Sequence, residues 1–229
     1  GFTAIVPPYR VDVTREADII EEILRIHGFN NIEVDDNNGA DYLSDFEERE
    51  PNKIRRSISN MLTGFGFREI LTNSMTNPGY VENTDGLSPE ENIHVLNKLS
   101  EELGILRQTL IYGGLESISH NVNRKYNNLK FFEFGKSYFK KGEKYVEDQQ
   151  LALFITGKKE EENWLTKQRN VSFYDISSAV RKIMAKFNFA DTVSEPTEAE
   201  YFSYGLDIKY NNKILCRMGR LLDSVTKQT

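Results

Sequence analysis

The stretch from Val6 to Ile32, VPPYRVDVTREADIIEEILRIHGFNNI, constrains this chain more than any other segment. A Pro-Pro pair fixes φ and removes two backbone donors, so the segment must enter as an extended elbow and not as helix. Past Asp12, the residues Ile19, Ile20, Ile23, Leu24 and Ile26 recur mostly on one side at helical spacing, with Asp18, Glu21, Glu22 and Arg25 on another. The pattern predicts a helix from about Arg15 to His27, capped by Thr14 or Asp12 and stopped at Gly28. Asp12, Asp18, Glu21 and Glu22 thus fall within eleven residues.

Two readings of these carboxylates compete. Asp18 lies three and four residues before Glu21 and Glu22, so all three can project from one helical face, and Asp12 can fold back toward them. Oxygen-rich sets of this kind suit magnesium, which takes one or two protein carboxylates and keeps several waters. Acidic residues in a first helical turn also complement the helix dipole without any metal. Spacing by itself favours the dipole reading, because no pattern here fixes an octahedral site.

Glu33 to Glu50, EVDDNNGADYLSDFEERE, is acidic, rich in turn residues and thinly apolar, and reads as a solvated linker. Pro51 then opens a second amphipathic helix carrying Ile54, Ile58, Met61, Leu62 and Phe65, ending at Gly64 and Gly66. Strands are predicted at 67–74, 92–96, 129–139, 150–156, 206–210 and 213–221. The last two flank Asn211-Asn212 as a hairpin. Helices are predicted at 108–124 and 171–187. Gly113 and Gly114 cost the first of these roughly 2 kcal/mol relative to alanine, which close packing against a sheet would explain. Hairpin-joined strands with long helical excursions give an α+β fold, a mainly antiparallel sheet with helices on one face and a small helical segment at the N-terminus.

Composition excludes several classes. No apolar run approaches the roughly 18 residues that a membrane span requires. Cys216 is the only cysteine, which rules out an internal disulfide and fits a reducing cytoplasm. With 29 basic and 35 acidic residues the net charge is −6, unfavourable for a stand-alone nucleic-acid binder. His27, His94 and His120 form no zinc spacing, and GFG and YGG lack the setting of a phosphate loop. Arg55-Arg56 and Lys140-Lys141 read as solvent-facing pairs. Tyr9 and Trp164 are candidates for stacking or for packing.

The opening stretch closely resembles one in the β subunit of bacterial phenylalanine–tRNA ligases, at the end of a small helical domain. IRRSISNMLTGFGFREILTNSM resembles the first helix and strand of the class II synthetase core in that family. LNKLSEELGILRQTLIYGGLESISHNVNRK with LKFFEFGKSYF, then VSFYDISSAVRKIM and YGLDIKYNNKILCRMGRL, follow in the family's order. The resemblance implies a small, winged-helix-like domain ending over residues 1–36, a linker over 37–50 and a non-catalytic, class II core-like domain over 51–229. It implies a scaffold for a catalytic α subunit within an α2β2 tetramer that charges tRNA(Phe) with phenylalanine using ATP. ATP would be bound by the partner, and tRNA met through the whole assembly. The family's magnesium ligands fall on Asp12, Asp18, Glu21 and Glu22, which turns the balance toward a metal site shared with the α subunit.

This sequence also departs from the family's pattern. Lys98 stands where the family commonly has proline. Phe131-Phe132-Glu133-Phe134 carries phenylalanine, at Phe132, where a catalytic class II core has an ATP-binding arginine, and no late Gly-rich strand ending in arginine follows MGRLLDSVTKQT. No catalytic residue is therefore expected. The family's tRNA-binding and editing modules are also missing, so the chain is expected to be a fragment. A stand-alone class II ligase and a nucleic-acid-binding module are the alternatives.

Overall fold

The structure is a computed structural model that describes residues 3–33, 50–98, 100–160, 162 and 164–229. The chain divides into two compact units, 1–48 and 49–229. Most of the acidic linker lies outside the described residues.

In the first unit, Pro7 accepts from the Arg10 N–H at 3.0 Å, closing a turn ahead of helix α1 (Glu16–His27). Neither Thr14 nor Asp12 caps this helix through its side chain. The carboxylate of Asp18 reaches back instead and accepts from the N–H groups of Thr14 and Arg15 at 2.9 and 2.8 Å. Arg15 occupies the cap position, and a carboxylate one turn in satisfies donors that the cap leaves open. Gly28, at φ +89°, ends the helix as expected, and its N–H bonds to the Leu24 carbonyl. No residue of α1 is buried, and Ile20, Ile23 and Ile26 are exposed.

The second unit is built on a long hairpin, β5 (Leu129–Lys141) and β6 (Lys144–Thr156), with β1 (Arg68–Glu69) parallel to β5 on its other side. The sequence reading started the second strand only at Gln150. The charged run KKGEKYVEDQQ hid six further paired residues, and Gly142, at φ +62°, supplies the tight turn. Helix α2 (Pro51–Gly64) begins at Pro51 as expected. The expected strand 67–74 shrinks to β1, followed by an irregular segment and β2 (Met75–Thr76). Short β3 (Ile93–His94) and β4 (Ile105–Leu106) complete a small antiparallel sheet, β2-β4-β3.

Helices cover both faces of the β1-β5-β6 sheet, not one. On one face Phe132, Phe134, Leu151, Leu153 and Ile155 meet Ile58 and Leu62 of α2 and Ala179 and Ile183 of α5 (Phe173–Lys186). The opposite face carries Phe131, Glu133 and Gly135, with Phe154 paired across from Phe131. Here α4 (Ile111–Val122) lies so close that a Cβ on Gly114 would collide with the Phe154 ring, and one on Gly113 with Thr72. The adjacent glycines are thus explained by sheet packing, as the sequence suggested. Alternation along β5 decides which residues face each layer.

Instead of one sheet there are several. α5 turns Val180 and Met184 onto a second, three-stranded antiparallel sheet, meeting Ile208, Met218 and Cys216. In it β10 (Phe202–Tyr210) and β11 (Lys213–Leu221) form the expected hairpin, with Asn211 and Asn212 at φ +48° and +60°, and β9 (Val193–Pro196) lies at the edge. Strands β7 (Lys158–Glu160) and β8 (Arg169–Asn170) form a separate pair. Cys216 packs in this core as a small apolar group, and burial pushes its thiol pKa up to about 11. Helix α6 (Asp223–Thr226) buries Val225 against Tyr112 and Leu115, with Tyr80 stacked flat on Tyr112 from α3 (Pro78–Glu82). No described helix is long and apolar enough to cross a membrane.

Candidate metal centre

The four expected ligands are all present on the first unit, but they do not meet at one point. Arg10 draws two of them together. Its Nε and Nη2 donate to Asp12 at 3.1 and 2.8 Å, and the same Nη2 donates to Glu22 Oε1 at 2.6 Å. Asp18 is turned into the helix cap. Glu21 faces Arg25 at 3.1 Å, and Arg25 also lies 3.6 Å from Glu22. Among the described residues no three His, Cys, Asp or Glu side chains converge as a metal would require.

The electrostatics follow this geometry. Hydrogen bonds from Arg10 hold the carboxyls of Asp12 and Glu22 below the usual carboxylate range, and the same hydrogen bonds, first that to Asp12, raise the Arg10 guanidinium in return. Asp18 is lowered chiefly by the Thr14 N–H and then by that of Arg15. Oxygen-only donors with charge to spare fit magnesium in chemistry. In arrangement, Asp12 and Glu22 fit best, because one cationic group already bridges them. Sequence reasoning passed over Arg10, although an arginine two residues before Asp12 in an acidic stretch was a visible signal.

A second arginine–carboxylate centre was missed entirely. Arg107 and Glu133, 5% and 0% exposed, pair at 2.9 Å inside the second unit. Arg107 Nη1 also donates to Thr72 Oγ1 at 2.6 Å, and its Nε to the Lys136 carbonyl at 2.9 Å. The Thr72 N–H donates to Glu133 Oε1 at 3.2 Å, and its hydroxyl lies 2.8 Å from Oε2. Gly135 leaves room for this, since a Cβ there would crowd Arg107 Nη2 and Leu110. Beside Glu133, Phe132 is fully buried between α2 and α5. Arg55 is exposed, as expected, with its guanidinium over the Phe134 ring at 4.9 Å and 3.7 Å from Glu69. Tyr9 and Trp164 are exposed, at 80% and 94%, and pack into no core.

Comparison with known proteins identifies the lineage. The family model for the phenylalanyl tRNA synthetase beta chain CLM domain matches residues 44–229, and that for the tRNA synthetase B5 domain matches residues 1–29. The phenylalanine–tRNA ligase beta subunit of Bacteroides thetaiotaomicron is 42% identical over 195 residues, covering 81% of this chain and 24% of the relative. That of Porphyromonas gingivalis is 36% identical over 194 residues with the same coverage, and that of Fusobacterium nucleatum 29% identical over 231 residues, covering 96% of this chain and 28% of the relative. The chain therefore spans about a quarter of the length of the curated relatives it matches. Among solved structures, a pyrrolysyl tRNA synthetase of Desulfitobacterium hafniense superposes with a TM-score of 0.55 at 12% identity, covering 77% of this chain and 60% of that one. That likeness concerns the fold: a mixed α+β arrangement with antiparallel sheets, shared with a tRNA synthetase. With the family model spanning most of its length, this chain belongs to the phenylalanyl-tRNA synthetase beta-chain family.

Proposed function

We propose that this chain is a non-catalytic piece of a phenylalanine–tRNA ligase β subunit that scaffolds a catalytic α subunit. The whole enzyme would be an α2β2 tetramer that charges tRNA(Phe) with phenylalanine using ATP. The second unit is read as a class II core-like module without its chemistry, and the first as the end of a small domain.

One observation carries this reading. In the first half of β5, where a catalytic class II core has an ATP-binding arginine, Phe132 is fully buried in the core. Its neighbour Glu133 is committed to Arg107 and Thr72, and that arginine is itself buried. A cation buried and paired with a carboxylate in the interior is out of reach of a triphosphate. Phosphate chemistry would have to come from the partner.

The reading includes magnesium, held by Asp12, Asp18, Glu21 and Glu22 together with groups of the α subunit. What supports it is the donor chemistry and the convergence of Asp12 and Glu22 on one cation. Bound there, magnesium would neutralise carboxylates at the subunit boundary; the residues of this chain supply the charge and the helix α1 that presents it.

Co-expression with the α subunit tests the scaffold. The two are expected to co-purify, and phenylalanine-dependent ATP–pyrophosphate exchange is expected to be absent from this chain by itself. Exchange by the chain alone, or a folded chain that never associates, would overturn the reading. In the intact enzyme, Glu21→Gln with Glu22→Gln is expected to raise the magnesium concentration needed for half-maximal exchange; unchanged dependence would remove the metal assignment.

A further inference from the structure

We propose that the end of the second unit where α4 stops is a contact for the phosphate backbone of RNA, made by Arg124, Lys125, Lys130 and Lys158, with Tyr126 as a stacking platform. The inference rests on the tRNA-charging reading above and gives it a surface on this chain.

The turn that builds this end holds an unexpected residue. α4 closes with two bonds that reach back into it, from the Lys125 N–H to the Val122 carbonyl at 2.8 Å and from the Tyr126 N–H to the Asn121 carbonyl at 3.0 Å. This is the Schellman ending, whose left-handed position is usually glycine and sometimes asparagine. Here it is Lys125, at φ +71°. The other non-glycine residues at positive φ among the described residues, Asn188, Asn211 and Asn212, are all asparagine. A side chain such as lysine is disfavoured in that conformation, so the turn keeps a cation where the backbone favours glycine.

Packing brings further cations to the same end. Gly157, at φ +84° just past β6, approaches this turn so closely that a Cβ would strike the Asn127 carbonyl oxygen, and the next N–H, of Lys158, donates to Asn128 Oδ1 at 2.7 Å. Lys130 donates to the Phe65 carbonyl at 3.2 Å and Arg124 to that of His120 at 2.9 Å, which also suits the negative ends of α2 and α4. Among the described residues the side chains of Lys125 and Lys158 have no partner. Residues 123–130, NRKYNNLK, and 155–159, ITGKK, contain no acidic side chain. Arg124, Lys125 and Lys158 are exposed, and Tyr126 is 65% exposed.

This composition selects the occupant. Protein interfaces are depleted in lysine and centre on a buried apolar patch, whereas this surface is lysine, arginine, asparagine and one open ring. Cations follow a phosphate backbone, and an exposed tyrosine stacks on a base. The net charge of −6 opposes general RNA binding by the chain and confines the contact to this end.

The test is fluorescence anisotropy of a labelled tRNA(Phe) transcript titrated with the 229-residue chain at several salt concentrations. Lys125→Gly is the informative variant, because glycine relieves the left-handed position while it removes the charge. It is expected to weaken binding and to leave the thermal midpoint unchanged or higher, a combination that a misfolded variant cannot give. Lys125→Gly combined with Lys158→Ser should weaken binding at least about tenfold near 0.1 M salt and lower the slope of log affinity against log salt by about 2. Tyr126→Ala should weaken binding without changing that slope. No binding by the native chain at low salt, or equal binding by the native chain and the double variant, would overturn the proposal. In the intact enzyme the double variant should raise KM for tRNA and leave ATP–pyrophosphate exchange unchanged. Poorer association with the α subunit, with KM for tRNA unchanged, would assign the surface to a protein and also overturn it. If the chain never associates with the α subunit yet binds RNA through Lys125 and Lys158, the scaffold reading fails and the contact stands. If it associates while native and variant chains bind RNA alike, the scaffold reading survives and the contact fails.

Discussion

The chain holds two arginine–carboxylate centres built from the same chemical parts and placed in opposite surroundings. Arg107 and Glu133 meet in the interior, where Arg107 also donates to Thr72 Oγ1 and to the Lys136 carbonyl. Arg10, Asp12 and Glu22 meet at the surface, with water able to take over any contact that is lost. Burial decides what each can do. A buried charge left without its partner costs several kcal/mol, so the interior pair is locked into the fold. Exposed pairs contribute little to stability, because water can replace either partner. The same pairing is a structural pin in one place and a water-exchangeable contact in the other.

Breaking the interior pair gives the largest expected effect. Glu133→Ala should destabilise the second unit by about 3–5 kcal/mol, because it leaves the buried Arg107 charge without its counter-ion. Urea unfolding would measure this, and a loss below about 1 kcal/mol would dissolve the contrast between the two centres. Gly114→Ala separates ionic from steric contributions on the same face of the sheet. Its new methyl group meets the Phe154 ring, and overpacking of about 1–3 kcal/mol should exceed the helix-propensity gain of at most about 1 kcal/mol.

A pair of intermediate exposure sharpens the comparison. Asp175 closes the first turn of α5, accepting from the Ser172 N–H at 2.8 Å and from Arg169 at 2.9 and 3.0 Å. Arg169 above all depresses its carboxyl far below the ordinary range. Asp175→Asn should cost about 1 kcal/mol, the usual worth of such a cap. Because the folded-state pKa is lowered, the difference from the native chain is full above roughly pH 4 and shrinks as pH falls further. Thermal melts at pH 7 and pH 3 would show it, and a difference that grew on acidification would contradict the assignment. The smallest effect is expected from Arg10→Gln, which should leave the thermal midpoint of the metal-free chain unchanged. A clear drop there would mean that the surface centre also supports the fold.

Much of the architecture was legible along the chain because it rests on local rules. Pro51 at the first position of α2, Gly28 after α1 and Asn211-Asn212 between β10 and β11 stand where backbone dihedrals demand them. The apolar rows of α2 and α5 follow helical spacing and point into the core they suggested. Strand ends were harder to read. Lys144 to Gln149 looks like a loop by composition, and only pairing with β5 draws it into the ladder. The segment after Glu69 looks like strand by propensity, yet turns away into loops and the short β2. β-propensity is fulfilled only where a partner strand is available.

The candidate site divides in the same manner. Asp12, Asp18, Glu21 and Glu22 could be picked out because acidity at helical spacing is a property of neighbouring residues. Their partners could not. Asp18 serves the helix N-terminus, and Arg10 claims Asp12 and Glu22, outcomes decided by which donor each carboxylate reaches first. Glu133 in FFEF offered only the hint of a charge within a buried strand. Its partner lies 26 residues earlier, and Thr72 a further 35 before that.

The sequence by itself determined the family, the helix stops and turns and the positions of the four acidic residues, because each is written in adjacent or periodically spaced residues. Only the tertiary structure decided that helices cover both faces of the main sheet, that Arg107 and Glu133 form a buried pair, and that Arg10 holds the acidic surface. Those outcomes depend on which distant groups are brought within 3 Å and on whether water reaches them, and neither is a property of any one stretch of chain.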